Sequence, residues 1–261
     1  LSSIDKLKIE LDYKLNSIAY HFKPIKSNKK FVIYHQGHAG GFIKGINYIN
    51  FFLGKGYEVI ALAMPLHGMN NQPIVKTTNN GYIKLDNHKK FYYLDDQSNP
   101  ISQFIQPVIS VVNYIEKNYN SKSINMVGIS GGGWTATVAA ALDTRIKNTF
   151  SVSGGLPISL LSEHDFGHYE LNNKEFYSRF SYLDLFILAS VSDESKRKYF
   201  QIFNQYDPCC YGGVRWKKYS NEVSFIVKNI SNDLFVVLND DENFDHSISN
   251  KSLIKIENSI D

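Results

Sequence analysis

The pentapeptide Gly128-Ile129-Ser130-Gly131-Gly132 holds the residue best placed to act as a nucleophile. A serine hydroxyl becomes reactive when a base can take its proton, and a sharp turn from strand to helix lifts it clear of its neighbours. The flanking residues predict that turn. Ile124 to Ile129 is an apolar run broken by Asn125, and Trp134 to Leu142 is a small-residue run that reads as a buried helix. Glycines on either side of the serine relieve the crowding of so tight a reversal, and the helix N-terminus favours negative charge nearby. The same residues would suit a serine that only caps the helix, so the chemistry depends on partners elsewhere in the chain.

Serine attack on an acyl carbon needs a base within hydrogen-bond reach, a carboxylate to orient that base, and N–H donors for the developing oxyanion. In a parallel α/β sheet these groups collect at the carboxyl ends of strands. Asp207 stands just past a strand end, and His246 lies in the loop after the last strand. Asp240 and Asp241 are rivals for the acid, at the end of that strand, whereas Asp245 adjoins His246 and is expected to point elsewhere. Of the other histidines, His21 and His88 read as surface residues. His35 follows a strand and suits the bracing of its loop, and His67 could brace a loop or touch substrate. His164 and His168 lie close to Glu163, Asp165 and Glu170, but their spacing fits no standard metal pattern, so neither a metal nor a cofactor is expected.

The elements that must carry these residues follow from apolar patterning. Leu7–Leu11 and Ile18–Phe22 alternate and predict an N-terminal hairpin. Phe31–Tyr34 and Tyr57–Met64 are continuous apolar runs, as expected of strands buried on both faces, and a helical pattern over 43–53 joins them. This βαβ unit predicts a parallel sheet. Helices are predicted over 101–119, 182–191 and 216–230 and after Ser247, with strands over 146–152, 199–204 and 233–238. Two segments, about 65–100 and 158–195, interrupt the alternation and read as lid-like insertions on a single domain spanning 1–261.

The order Ser130, Asp207, His246, with the Gly-x-Ser-x-Gly stretch and Asp245-His246 before the last helix, resembles the α/β-hydrolase family. The resemblance covers nearly everything from Phe31 onward. It implies a mostly parallel sheet with helices on both faces, a covalent acyl-enzyme on Ser130, His246 as base and Asp207 as its acid. The loop His35-Gln36-Gly37-His38 is similar to the family's oxyanion loop, although Gln36 precedes the glycine. The alignment implies that Gly131 and His38, or Gly37, donate to the oxyanion. His35, Gln36, His67 and Trp134 are then candidates to contact substrate.

The expected activity is hydrolysis of a carboxylic ester. The many aromatics of the insertions either seal the core or stack on sugar rings, which leaves a carbohydrate-linked acyl group open. A serine peptidase of similar topology and a non-catalytic binding protein are the alternatives. The formal charge of +3 carries no concentrated basic run, which argues against nucleic acid, and no apolar run is long enough to span a bilayer. The chain starts at Leu1 rather than Met and shows no signal-peptide pattern, so an upstream segment is expected to be missing and localisation stays open; the adjacent Cys209 and Cys210 read as two buried thiols, which slightly favours the cytoplasm.

Overall fold

Strands buried along nearly their whole length form the middle of the sheet, and an alternating strand forms one of its edges. The computed structural model describes residues 1–94, 100–162, 168–193 and 196–260. Strands β1 (Ser3–Glu10) and β2 (Asn16–Lys23) pair antiparallel, as the alternation predicts. Then come β3 (Lys30–Gln36) and β4 (Glu58–Ala63), and β5 (Ile74–Thr77) pairs with β6 (Gly81–Lys84) in a separate two-stranded hairpin. The series closes with β7 (Ser123–Ile129), β8 (Ile146–Val152), β9 (Lys198–Asn204) and β10 (Leu234–Asp240). The main sheet has the order β1-β2-β4-β3-β7-β8-β9-β10. Only β1 and β2 run against their neighbours; β4 through β10 are parallel within this sheet.

Helices cover both faces. Ile49 and Phe52 of α1 (Ile46–Gly54) and Leu253 and Ile256 of the terminal helix pack on one face with Val32, Tyr34, Val59 and Val127. On the other face lie α2 (Ser102–Asn118) and α3 (Gly131–Leu142), with their partners from the second insertion and beyond. The second insertion contributes α4 (Lys174–Arg179) and α5 (Tyr182–Ser190), the latter opened by a capping box at Ser181 and Asp184. The last helices are α6 (Ser220–Ile230) and α7 (Asn250–Ser259). Among the described residues no helix is long and apolar enough to cross a membrane.

Three expectations are corrected. His21 is fully buried, its Nε2 3.0 Å from Glu58 Oε2 between β2 and β4. His88 is also buried, because the first insertion folds back and its Nε2–H donates to the Pro65 carbonyl at 2.8 Å. Cys209 and Cys210 are joined in a disulfide between neighbours rather than standing as two thiols, so they carry no argument for a reducing compartment. They sit in a turn that Asp207 gathers, since its Oδ1 accepts from both backbone N–H groups. Phe91 of the first insertion packs edge to face on Tyr169 of the second and on Phe104 of α2, which meets Trp134 of α3 in the same way, with centroids 5.6–5.8 Å apart, while Tyr82, Tyr92 and Tyr93 stay exposed. His164, Glu163 and Asp165 lie outside the described residues.

Candidate active site

Between β7 and α3 the chain reverses at Ser130, whose φ of 57° and ψ of −128° lie far from the regions open to most side chains. Its neighbours hold it there. The Ser130 N–H donates to the Val152 carbonyl, and its own carbonyl accepts from Gly133 and Trp134 as α3 begins. A Cβ at Gly128 would lie 2.0 Å from the Gly132 carbonyl oxygen, and one at Gly132 would lie 2.1 Å from that of His35. The two glycines of the pattern are therefore required by the close approach of strand, helix and β3.

Ser130 lines an open cavity of about 320 Å³ together with His246. His246 Nδ1 stands 2.7 Å from Asp207 Oδ2. Since a carboxylate only accepts, that nitrogen carries the hydrogen, which leaves Nε2 as the free base in the neutral ring. Among the described residues Nε2 is buried without a hydrogen-bond partner. Ser153, itself at φ 42° at the end of β8, donates its hydroxyl to Asp207 Oδ2 at 2.9 Å. Burial alone would raise the Asp207 pKa. The hydrogen bond and charge of His246 and the N–H groups of Cys209 and Cys210 more than offset this, so the carboxyl sits below its ordinary value.

The two loops carrying Asp207 and His246 are tied together. Asn204, fully buried at the end of β9, donates from Nδ2 to the carbonyls of Asp245 at 3.1 Å and Ser247 at 2.8 Å, one on each side of His246. Tyr206 and Phe244 stack across the same gap with centroids 4.9 Å apart. The rival carboxylates are engaged elsewhere. Asp240 accepts from Ser249 and Ser252 hydroxyls at 2.5 and 2.9 Å and from two backbone N–H groups, which makes it the anchor of the α7 N-terminus. Asp241 is exposed and pairs with Lys251.

The loop after β3 lies against the elbow. A Cβ at Gly37 would fall 2.6 Å from Ser130 Cβ and 3.0 Å from the Gly131 nitrogen. Gly131 opens α3, where the first N–H groups have no intrahelical acceptor. Of the four residues expected to touch substrate, Gln36 lines the cavity. His35, Trp134 and His67 do not. His35 is buried and braces the loop through Nδ1–H to the Gln36 carbonyl at 3.0 Å; burial pushes its pKa down to about 4. Trp134 is a core residue whose indole N–H donates to the Tyr177 hydroxyl at 2.7 Å. His67 packs edge-on against His38 and His88 with centroids 5.9 and 5.2 Å away, and burial pushes its pKa down to about 4.

Leu171 and Tyr211, which the sequence did not single out, complete the rim together with His168, which it weighed only as a metal ligand. His168, with Leu171, comes from the second insertion, and Tyr211 follows β9. The His38 side chain, at the same rim, donates or shares a proton with the buried Glu170, Nε2 to Oε1, at 2.6 Å. Asn204 was invisible as a functional residue, although a polar side chain closing an apolar strand two residues before Tyr206-Asp207 is a readable signal.

No known family profile matches the sequence, and no curated protein matches it. Solved structures do. An esterase of Pyrococcus furiosus, Pf2001, superposes with a TM-score of 0.62 over 98% of this chain and 88% of its own, at 14% identity. Est1E of Butyrivibrio proteoclasticus with ferulic acid bound gives a TM-score of 0.57 at 15% identity, covering 97% of this chain and 95% of that one. The acylaminoacyl peptidase of Pyrococcus horikoshii gives 0.60 at 13% identity over 96% of this chain, but over 38% of its own. With the sheet order described above, these likenesses show that the chain has the α/β-hydrolase fold.

Proposed function

We propose that the chain is a serine hydrolase that cleaves carboxylic esters through an acyl-enzyme on Ser130. The observation that carries this reading is the 2.7 Å contact of His246 Nδ1 with Asp207 in the same cavity as a serine held at φ 57°. Ser130 Oγ attacks the ester carbonyl while His246 Nε2 takes its proton. Asp207 holds the tautomer that leaves Nε2 unprotonated and stabilises the imidazolium that forms. The oxyanion is met by backbone N–H groups of Gly131 and of the Gly37–His38 turn. Collapse of the intermediate expels the alcohol, protonated by His246, and a water molecule then repeats the sequence to release the acid. No step requires a cofactor.

Apo sites of this kind often hold nucleophile and base at looser distances than the Michaelis complex, so the unpartnered Nε2 is consistent with the role given to it. The cavity is small and bounded by Ile129, Leu171 and Tyr211 on its apolar side, which suits a short or flat acyl group. Phe91 and Tyr169 of the insertions are buried as a seal over the core while Tyr82, Tyr92 and Tyr93 stay exposed, so a carbohydrate-linked acyl group stays within this reading. The ester reading is supported by two esterases among the structural neighbours, each covered over most of its length. The peptidase neighbour has more than half of its chain without a counterpart here.

The test is a panel of p-nitrophenyl acetate and butyrate, methyl ferulate, an acetylated sugar and an aminoacyl anilide, compared by kcat/KM. Esters are expected to exceed the anilide by at least about 10²-fold, and preference for the anilide would make the chain a peptidase. Gly37→Ala gives a second expectation. Its Cβ would push the loop away from Ser130 and Gly131, and the loss of one oxyanion donor costs about 10²–10³ in turnover. A folded Gly37→Ala protein with wild-type kcat on the same ester would move the oxyanion donors to other residues.

A further inference from the structure

Four potential ligands from three distant parts of the chain meet beside the cavity. His38 comes from the loop after β3, His88 from the first insertion, and His168 and Glu170 from the second. One ring nitrogen of each histidine and one carboxylate oxygen all lie within 4.8 Å of one another. We propose that these four residues bind a divalent transition-metal ion of the zinc class, which pins both insertions to the loop that faces Ser130.

The tautomer of His88 carries the argument. Its Nε2 contacts the Pro65 carbonyl at 2.8 Å, and a carbonyl only accepts, so Nε2 bears the hydrogen. In the neutral ring Nδ1 then presents a lone pair. That nitrogen lies 3.1 Å from Glu170 Oε2, close enough for an ion pair, yet neither atom forms a hydrogen bond of acceptable geometry. Both side chains are essentially buried, Glu170 at 0% and His88 at 2% exposure. A lone pair facing a carboxylate away from water is repulsive, and either a proton on Nδ1 or a metal cation between the two atoms relieves it; the convergence of two further imidazoles on the same carboxylate favours the metal. A ligating histidine whose other N–H is held by a backbone carbonyl is also the usual outer-shell arrangement of a metal site.

The remaining geometry agrees. His38 and His168 lie face to face with centroids 3.6 Å apart and planes 17° from parallel, so edge nitrogens of the two rings can reach one ion side by side. Ligand atoms about 2.0–2.1 Å from a tetrahedral zinc stand roughly 3.3 Å apart. The His38 Nε2–Glu170 Oε1 and His88 Nδ1–Glu170 Oε2 separations of 2.6 and 3.1 Å lie just inside that spacing and the ligand atoms all lie within 4.8 Å of one another, so binding needs only side-chain adjustments within the cluster. Three imidazoles and a carboxylate suit zinc, and also cobalt or nickel, rather than calcium or magnesium. With four protein ligands the coordination is closed, as in structural sites. The ion would thus position the cavity wall and take no part in acyl transfer. The His38 ring lies against the start of α3, where a Cβ at Gly131 would come within 2.5 Å of it, so fixing the ring also fixes the wall beside the nucleophile.

The experiment strips the full chain with dipicolinate and titrates it with Zn²⁺ and with Co²⁺, in both the wild type and Ser130→Ala. One equivalent should bind in each, and Co²⁺ should give the strong visible bands of tetrahedral coordination. Binding by Ser130→Ala separates this site from the hydrolase reading, which could fail without touching it. Glu170→Gln and His168→Ala should each weaken Zn²⁺ binding by more than the 10–100-fold that loss of an outer-shell partner costs. His168 lies at the rim, so His168→Ala retains a readable fold if the buried Glu170 substitution does not. Failure of the wild type to bind either ion, octahedral Co²⁺ spectra, or unchanged affinity in a folded His168→Ala protein would overturn the site.

Discussion

Ser130→Ala is expected to lose about six orders of magnitude in ester turnover, leaving only the rate that binding and the oxyanion donors support. The size of the loss follows from what the hydroxyl does in the proposed reaction. It forms the covalent bond on which both halves of the cycle depend, and the nearby Ser153 hydroxyl is committed to Asp207. The substitution also tests the backbone. Ser130 sits at φ 57° because Gly128, Gly132 and the β3 loop close around it, so alanine must adopt the same conformation, and the thermal midpoint should change little. A folded Ser130→Ala protein that keeps wild-type turnover would exclude the acyl-enzyme.

Asp207→Asn should lower turnover by at least about 10²-fold, with 10⁴ the loss in serine peptidases whose triad acid is changed this way. The amide keeps the shape but can offer its NH₂ to His246 Nδ1, which favours the wrong tautomer and puts the hydrogen on the nitrogen that must act as base. It also removes the charge that stabilises the imidazolium. Because Asp207 is held below the ordinary carboxyl range, it remains ionised through the neutral and mildly acidic range, and its effect is present wherever His246 can act as a base. Asp240→Asn should behave differently. Asp240 receives two hydroxyls and two N–H groups at the start of α7, so its loss lowers the thermal midpoint and leaves the kcat of the folded protein within about tenfold. The opposite ranking on one ester substrate would transfer the acid role to the last strand.

Much of this arrangement is legible in the residues themselves. Strands β3, β4, β7 and β9 each carry a run of apolar residues because both of their faces are covered, and burial on two sides leaves a strong mark in sequence. Ser130, Asp207 and His246 are readable for a related reason: each follows such a strand directly or by a few residues. The insertions are less readable. The β5–β6 hairpin has four residues in each strand, too few for an alternating pattern to stand out. His88 sits among asparagine and lysines, which suggests solvent, yet its ring turns inward to the Pro65 carbonyl and Glu170. Local composition reports the exposure of a segment's average side chain, whereas a single inward residue is set by contacts between segments far apart in the chain. The same limit applies to Asn204, whose partners are two carbonyls 41 and 43 residues away. It also applies to the cluster of His38, His88, His168 and Glu170, in which no two elements that meet are neighbours in sequence except the last pair.

The account stands or falls on Ser130 as an activated nucleophile. The direct measurement is reaction of the folded wild-type chain with a fluorophosphonate, followed by proteolysis and mass spectrometry of the labelled peptide. The account predicts one phosphonyl group, on the peptide containing Gly128 to Gly133, formed rapidly in the wild type and at least about 10²-fold more slowly in Asp207→Asn. An unlabelled Ser130, or label of equal rate in the wild type and in denatured protein, would contradict it.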